Sequence, residues 1–158
     1  MSNVKIPILM YHSIELMPRS TVMRSLHVPP KRFIFQMRML KFLGYKGLSM
    51  RNLTPYLNGE KIGKVVGITF DDGYLNNLLN AAPTLNKLGF SATCYLVSEK
   101  IGLSNIWDYE KGITQRPLMN HSEVQEWLNL GMDIGAHSCT HPNLDKMDYL
   151  KAKEEIQK

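Results

Sequence analysis

The segment Lys64-Val65-Val66-Gly67-Ile68-Thr69-Phe70-Asp71-Asp72-Gly73-Tyr74 decides how the rest of the chain is read. Lys64–Phe70 is apolar and β-branched, which suits a central strand. It stops at two carboxylates and a glycine. In parallel α/β folds, active sites are built at the C-terminal ends of strands. Adjacent carboxylates beside a core are costly without a partner. Their side chains diverge, so one can bind a cation while the other faces a water or substrate. Gly73 lets the backbone turn sharply and approach a ligand. A plain Asp-Asp-Gly turn capping the next helix explains the same residues equally well. Taken alone, the segment leaves both readings open.

Upstream of it, Ile6–Tyr11 is an apolar run short enough for a buried strand. Pro30 opens a helix that runs to Leu43 and is stopped by Gly44, with Phe33, Met37 and Leu40 as its buried stripe. Tyr45–Leu48 reads as a short strand, and Met50–Leu57 as a short helix closed by Asn58-Gly59. Downstream, Leu75, Leu78, Leu79, Ala82 and Leu85 fall at helical spacing up to Gly89. Phe90–Val97 is another buried strand, and Ser98–Asn120 is mostly loop, with Trp107 inside it. Ser122 with Gln125 predicts a capping box for a helix through Leu130, ended by Gly131. Met132–Ala136 is the next strand, and the charged tail after Leu144 is helical. Strands alternating with helices imply a parallel sheet or barrel. About five strands are expected, fewer than the eight of a complete (β/α)₈ barrel. Without repeats, low-complexity tracts or linkers, residues 1–158 read as one domain.

A second chemical segment, His137-Ser138-Cys139-Thr140-His141-Pro142, follows the strand Met132–Ala136. Two histidines four apart can face one point if the loop makes a helical turn. Two imidazoles and one carboxylate form an ordinary zinc-type site with positions left open for water. A metal held there lowers the pKa of water and polarises a carbonyl, and the spare Asp71 beside it can act as general base. That constellation fits hydrolysis of an amide or ester. It needs no thiol, so Cys139 reads as a bystander and Cys94, in an apolar run, as a core residue. His12 ends the first strand at Leu9-Met10-Tyr11-His12. By itself it is better read as structural. If the strands are parallel it shares a rim with the other two segments, and an imidazole there can give a proton to a departing amine.

Composition narrows the classes. The 158 residues are 44% hydrophobic and 21% charged, which is globular rather than disordered. No run approaches the roughly 18 apolar residues of a membrane span, and Met1–Lys5 lacks the regions of a signal peptide. The formal charge of +5 comes from 19 scattered Lys and Arg, so nucleic acid is not the expected partner. Two cysteines make no disulfide framework.

Together, Thr69-Phe70-Asp71-Asp72-Gly73-Tyr74 and His137-Ser138-X-X-His141 resemble the NodB-type polysaccharide deacetylases, carbohydrate esterase family 4. The resemblance extends through Phe90–Val97 and Gly131–Ala136. It implies Asp71 as catalytic base, Asp72, His137 and His141 as metal ligands, and the Tyr74 backbone N–H as an oxyanion donor. It also implies a distorted (β/α) barrel, here of about five strands and incomplete at the C-terminus. The cofactor implied is a divalent metal ion, zinc first, with cobalt, nickel or iron also accepted. The substrate implied is an N-acetylglucosamine polysaccharide that loses N-acetyl groups. Ile8-Leu9-Met10-Tyr11-His12 is similar to the circularly permuted branch acting on poly-β-1,6-N-acetylglucosamine, which makes His12 the acid. The family is usually secreted or in the cell envelope. It places an arginine-bearing motif after the histidines, and the chain ends at Lys158 before it, so a truncated domain is expected. Arg116 precedes the histidines and is not a substitute. The alternative function is an inactive metal-binding remnant that serves as a carbohydrate-binding or interaction module. An open five-stranded sheet also exposes apolar edges, which allows self-association.

Overall fold

The computed structural model describes residues 5–157; the expectation placed on Met1–Val4 and on Lys158 lies outside them. Five parallel strands form one sheet: β1 (Ile8–Tyr11), β2 (Lys46–Leu48), β3 (Val65–Phe70), β4 (Thr93–Leu96) and β5 (Asp133–Ala136). Among them lie α1 (Pro30–Phe42), α2 (Met50–Leu57), α3 (Leu75–Asn80), α4 (Ala82–Leu88), α5 (His121–Asn129) and α6 (Tyr149–Gln157). The expected α/β fold of about five parallel strands is what the chain adopts. Gly67 of β3 pairs with Ile8 and with Leu48, while Thr69 pairs with Met10 and with Thr93. β1 therefore runs along one side of β3, and β2 followed by β4 along the other. β5 extends the sheet beyond β4, so it is open between β1 and β5.

Every residue of β3 is buried, as its unbroken apolar sequence requires. Ile68 and Phe70 face the main core, where Phe33 and Met37 of α1, Leu85 of α4 and Trp127 of α5 meet them. Tyr11, Phe33, Phe70 and Trp127 pack as an aromatic chain; Phe70 meets Trp127 edge-on at 5.7 Å. The Trp127 indole N–H donates to the Asp133 carbonyl at 2.9 Å, which ties α5 to β5. Val65 points to the opposite face and packs with Leu48 of β2 and Leu53 of α2.

The structure corrects four local readings. β1 is not a buried strand: Ile8 is 47% and Met10 64% exposed, because β1 lies on the sheet edge, and only Tyr11 at its end is buried. The helix expected from Leu75 to Gly89 breaks at Ala81, just before Pro83 closes the first turn of α4, and Leu79 is left exposed. The capping box belongs to Asn120 and Glu123, not Ser122 and Gln125. The Asn120 side chain accepts from the Glu123 N–H at 3.0 Å, and Glu123 Oε2 accepts from the Asn120 N–H at 2.7 Å. The stretch 98–120 is also more ordered than a loop. It holds short 3₁₀ turns at Ser98–Lys100 and Ile106–Lys111, and is stitched to the strand-end segment through Tyr74 and Leu118.

Candidate functional site

Parallel register brings the three sequence segments to one rim. Tyr11 pairs with Phe70, and the Asp71 N–H donates to the Tyr11 carbonyl at 2.9 Å, so His12 and Asp71 leave their strands side by side. Leu96 pairs with Ala136, and the His137 N–H donates to the Leu96 carbonyl at 2.8 Å, which sets the histidine loop on the same rim.

Asp72 is buried more deeply than His137 or His141, 4% exposed, with a positive φ of 72° that non-glycine residues seldom adopt. Its Oδ1 is buried and has no hydrogen-bond partner among the described residues. His141 Nε2 lies 3.3 Å from that oxygen and His137 Nε2 lies 3.5 Å from it. One donor atom each from Asp72, His137 and His141 falls within 4.8 Å of the others. Zinc-type bonds of about 2.0–2.2 Å place tetrahedral neighbours about 3.4 Å apart, so this donor set has the size and chemistry of a metal cradle. An orphaned carboxylate oxygen facing two imidazole nitrogens is the arrangement a divalent cation would satisfy. The Asp72 carboxylate facing its Nε2 pushes the His141 imidazole above its ordinary pKa, partly offset by burial.

The histidine pair does converge, but not through a helical turn. Ser138 and His141 both take left-handed backbone conformations, with φ of 59° and 63°. Ser138 Oγ accepts the His141 N–H at 3.1 Å and closes the turn. Three of the four non-glycine residues with positive φ among those described are Asp72, Ser138 and His141, so backbone strain concentrates at this site.

Asp71 lies beside His12, its Oδ2 3.9 Å from His12 Nε2. Burial raises its pKa, opposed by His12 and then His137. Tyr74 is buried, and the backbone on either side of it is pinned: the Met119 N–H donates to Gly73 and the Leu75 N–H to Pro117. Desolvation, then the nearby Asp72 and Asp108 carboxylates, push its phenol well up. Gly73 has φ of 80°, and a Cβ there would meet Leu96 Cδ2 at 2.9 Å. Cys94 is fully buried in the core, and Cys139 is buried with its Sγ against the Glu155 carbonyl at 3.4 Å. Arg116 pairs with Glu15 at 2.7 Å.

Several contributors escaped the sequence reading. Asn77 of α3, fully buried, donates to the His12 carbonyl at 2.7 Å and accepts the Ile14 N–H at 3.2 Å, which fixes where His12 sits. Asn76, Asn77 and Asn80 within so short a helix were the available signal, since asparagine disfavours helix interiors. Trp107 stacks on His141 with ring centroids 4.7 Å apart.

A parallel α/β sheet with an Asp-His-His cradle and a second aspartate on its C-terminal rim defines a class of candidate metallohydrolases. Within that class the family is shown. The polysaccharide deacetylase family model matches residues 58–158, and the chain belongs to that family. It is 31% identical over 154 residues to YxkH of Bacillus subtilis (strain 168), itself named only as a candidate polysaccharide deacetylase. That match covers 96% of this chain and 49% of YxkH, so the chain spans about half the length of this curated relative. Among solved structures, the deacetylase PplD of Streptococcus pyogenes, in complex with acetate, superposes with a TM-score of 0.77 at 28% identity. It covers 97% of this chain and 65% of PplD. A polysaccharide deacetylase from Bacillus cereus gives a TM-score of 0.73 at 29% identity, over 98% of this chain and 47% of its own.

Proposed function

We propose that this chain is a metal-dependent hydrolase that removes N-acetyl groups from N-acetylglucosamine-containing polysaccharide. The observation that carries the proposal is the buried, unpartnered Asp72 Oδ1 facing two imidazole nitrogens, with Asp71 directly beside it. Asp72, His137 and His141 would hold the cation, and two nitrogens with one oxygen suit zinc, with cobalt, nickel and iron also accepted. Bound there, it supplies a Lewis acid that polarises the acetyl carbonyl and lowers the pKa of a water.

Asp71 takes the proton of the attacking water. Burial has moved its carboxyl upward, toward the pH at which a general base works best. His12, 3.9 Å from Asp71, gives a proton to the departing amine, and Asn77 fixes the backbone that carries it. The Tyr74 backbone N–H donates to the oxyanion as the tetrahedral centre forms, and Trp107 walls the site beside His141. Family membership and the likeness to PplD support this reading.

The test is acetate release from short N-acetylglucosamine oligomers with zinc, cobalt or nickel added. Asp71→Asn is expected to keep the cation and lose about 10²–10⁴-fold in turnover, and His12→Ala to slow amine departure at unchanged metal content. Oligomers bound without any acetate released would replace hydrolysis with carbohydrate binding.

A further inference from the structure

The turn that presents the two imidazoles is an improbable one to hold still. Its strand, β5, has only four residues and lies at the sheet edge, and two of its five residues, Ser138 and His141, sit in the left-handed region. Such residues persist only where surrounding contacts over-determine them. Some of that support is local. The Ser98 N–H donates to the Ser138 carbonyl at 3.1 Å, and the Glu99 N–H to the Cys139 carbonyl at 3.0 Å. Further support comes from one side chain on α6. Glu155 Oε2 accepts the Cys139 N–H at 3.0 Å and the Thr140 N–H at 2.9 Å, while Oε1 accepts the Thr140 hydroxyl at 2.8 Å.

Consecutive backbone N–H groups converging on one anion form a concave nest, filled here by the chain's own carboxylate. Hydrogen bonds to an ionised acceptor are also the stronger kind. No side chain of α6 is buried, so the helix does not owe its place to a packed apolar stripe. What joins it to the rim is Glu155, through its carboxylate and through its carbonyl on Cys139 Sγ.

We infer that Glu155 is a positioning residue for the candidate metal ligands. Its carboxylate pins the middle of the His137–His141 turn, so that both Nε2 atoms face Asp72 before any cation arrives. Glu155 acts through Cys139 and Thr140, two of the three residues between the histidines. The inference rests on the ligand reading proposed above and adds a residue from outside both sequence motifs to it.

The chemistry distinguishes hydrogen bonding from charge. A glutamine keeps one oxygen for the two backbone N–H groups, and its amide N–H can donate to Thr140 Oγ1, which then accepts. Glu155→Gln should therefore hold the turn nearly as well as glutamate, whereas Glu155→Ala cannot. Thr140→Val removes one of the three bonds and leaves the other two.

The experiment is titration of the full chain with Co²⁺, read from the visible absorption of the bound ion, beside amide hydrogen exchange at Cys139 and Thr140. Glu155→Ala is expected to bind Co²⁺ about 10–100-fold more weakly than wild type, the range for groups that orient metal ligands. Its Co²⁺ band should change shape and its two amides lose protection. Glu155→Gln should stay within about threefold of wild type, and Thr140→Val should fall between. A residue that merely docks α6 would lower the melting temperature and leave the Co²⁺ affinity and spectrum untouched, and that result overturns the inference. If Glu155→Ala does not fold, Thr140→Val decides: wild-type affinity in that variant overturns it equally. A wild-type chain that takes up no Co²⁺ is a different failure, because it overturns the ligand assignment itself and with it any purpose for the clamp.

Discussion

The two halves of the site are built on opposite principles. The aspartate half grows out of β3, the most buried strand, and is enclosed by core: Asp72 is 4% and Tyr74 2% exposed, and a Cβ on Gly73 would sit 2.9 Å from Leu96 Cδ2. The imidazole half hangs from an edge strand, with side chains 35% exposed at His137 and 30% at His141, and is steadied from outside by Glu155. One half is positioned by packing and the other by hydrogen bonds. Packing tolerates a buried charge only at a cost, whereas a tethered loop can be altered without disturbing the core.

That contrast breaks most readily at the ligands. Asp72→Asn keeps a residue that accepts a positive φ but withdraws the anionic donor, so metal uptake measured by Co²⁺ titration should fall by more than about 100-fold. Because the buried carboxylate faces the His141 and His137 imidazoles at 3.3 and 3.5 Å, the metal-free chain should also lose about 1–3 kcal/mol, read by thermal unfolding. An unchanged or higher melting temperature would show that those imidazoles contribute nothing to holding the charge. His137→Ala should lose the cation as severely, yet change metal-free stability by no more than about 0.5 kcal/mol in urea unfolding, since the ring is partly solvated. Gly73→Ala probes the packed half directly. Its φ of 80° and the 2.9 Å approach to Leu96 predict a loss of about 1–3 kcal/mol, checked by thermal unfolding. An unchanged melting temperature would mean that this turn has slack.

The smallest effect belongs to the wall behind Asp71. Burial pushes the Tyr11 phenol from 10.0 to about 12. Between those values the unfolded chain loses this proton and the folded chain keeps it. The stabilising difference is thus whole below pH 10 and is lost as the pH rises toward 12. Tyr11→Phe should flatten that alkaline loss in unfolding titrations, and an identical slope would remove Tyr11 as a contributor.

The aspartate half was the more legible of the two in the sequence. An unbroken apolar run ending in Asp71-Asp72-Gly73 announces a central strand and a polar rim, because burial and strand length are local properties of the chain. Pro30 and Gly44 likewise bracket α1 closely, through backbone rules that need no tertiary context. The imidazole half was half legible. The histidine spacing marked the two imidazoles that converge, but the left-handed conformations of Ser138 and His141 sit among contacts with residues 98, 99 and 155, which the sequence does not reveal. The misplaced capping box has a simpler origin: Asn120 and Ser122 are both good caps, each with a Glu or Gln three residues on, and spacing alone does not choose between them. β1 was misjudged because an apolar run carries no sign of whether a neighbour will cover it.

A cation held as proposed at Asp72 would link supply to survival. A cation bound only by the folded chain, at a free concentration about 100 times its dissociation constant, adds roughly 2.7 kcal/mol to stability. Domains of this size keep only about 5–15 kcal/mol in hand, and proteases act on the small unfolded fraction. Scarcity of the ion would then thin out the molecules themselves as well as idle them, so that abundance reports on availability with no dedicated sensor.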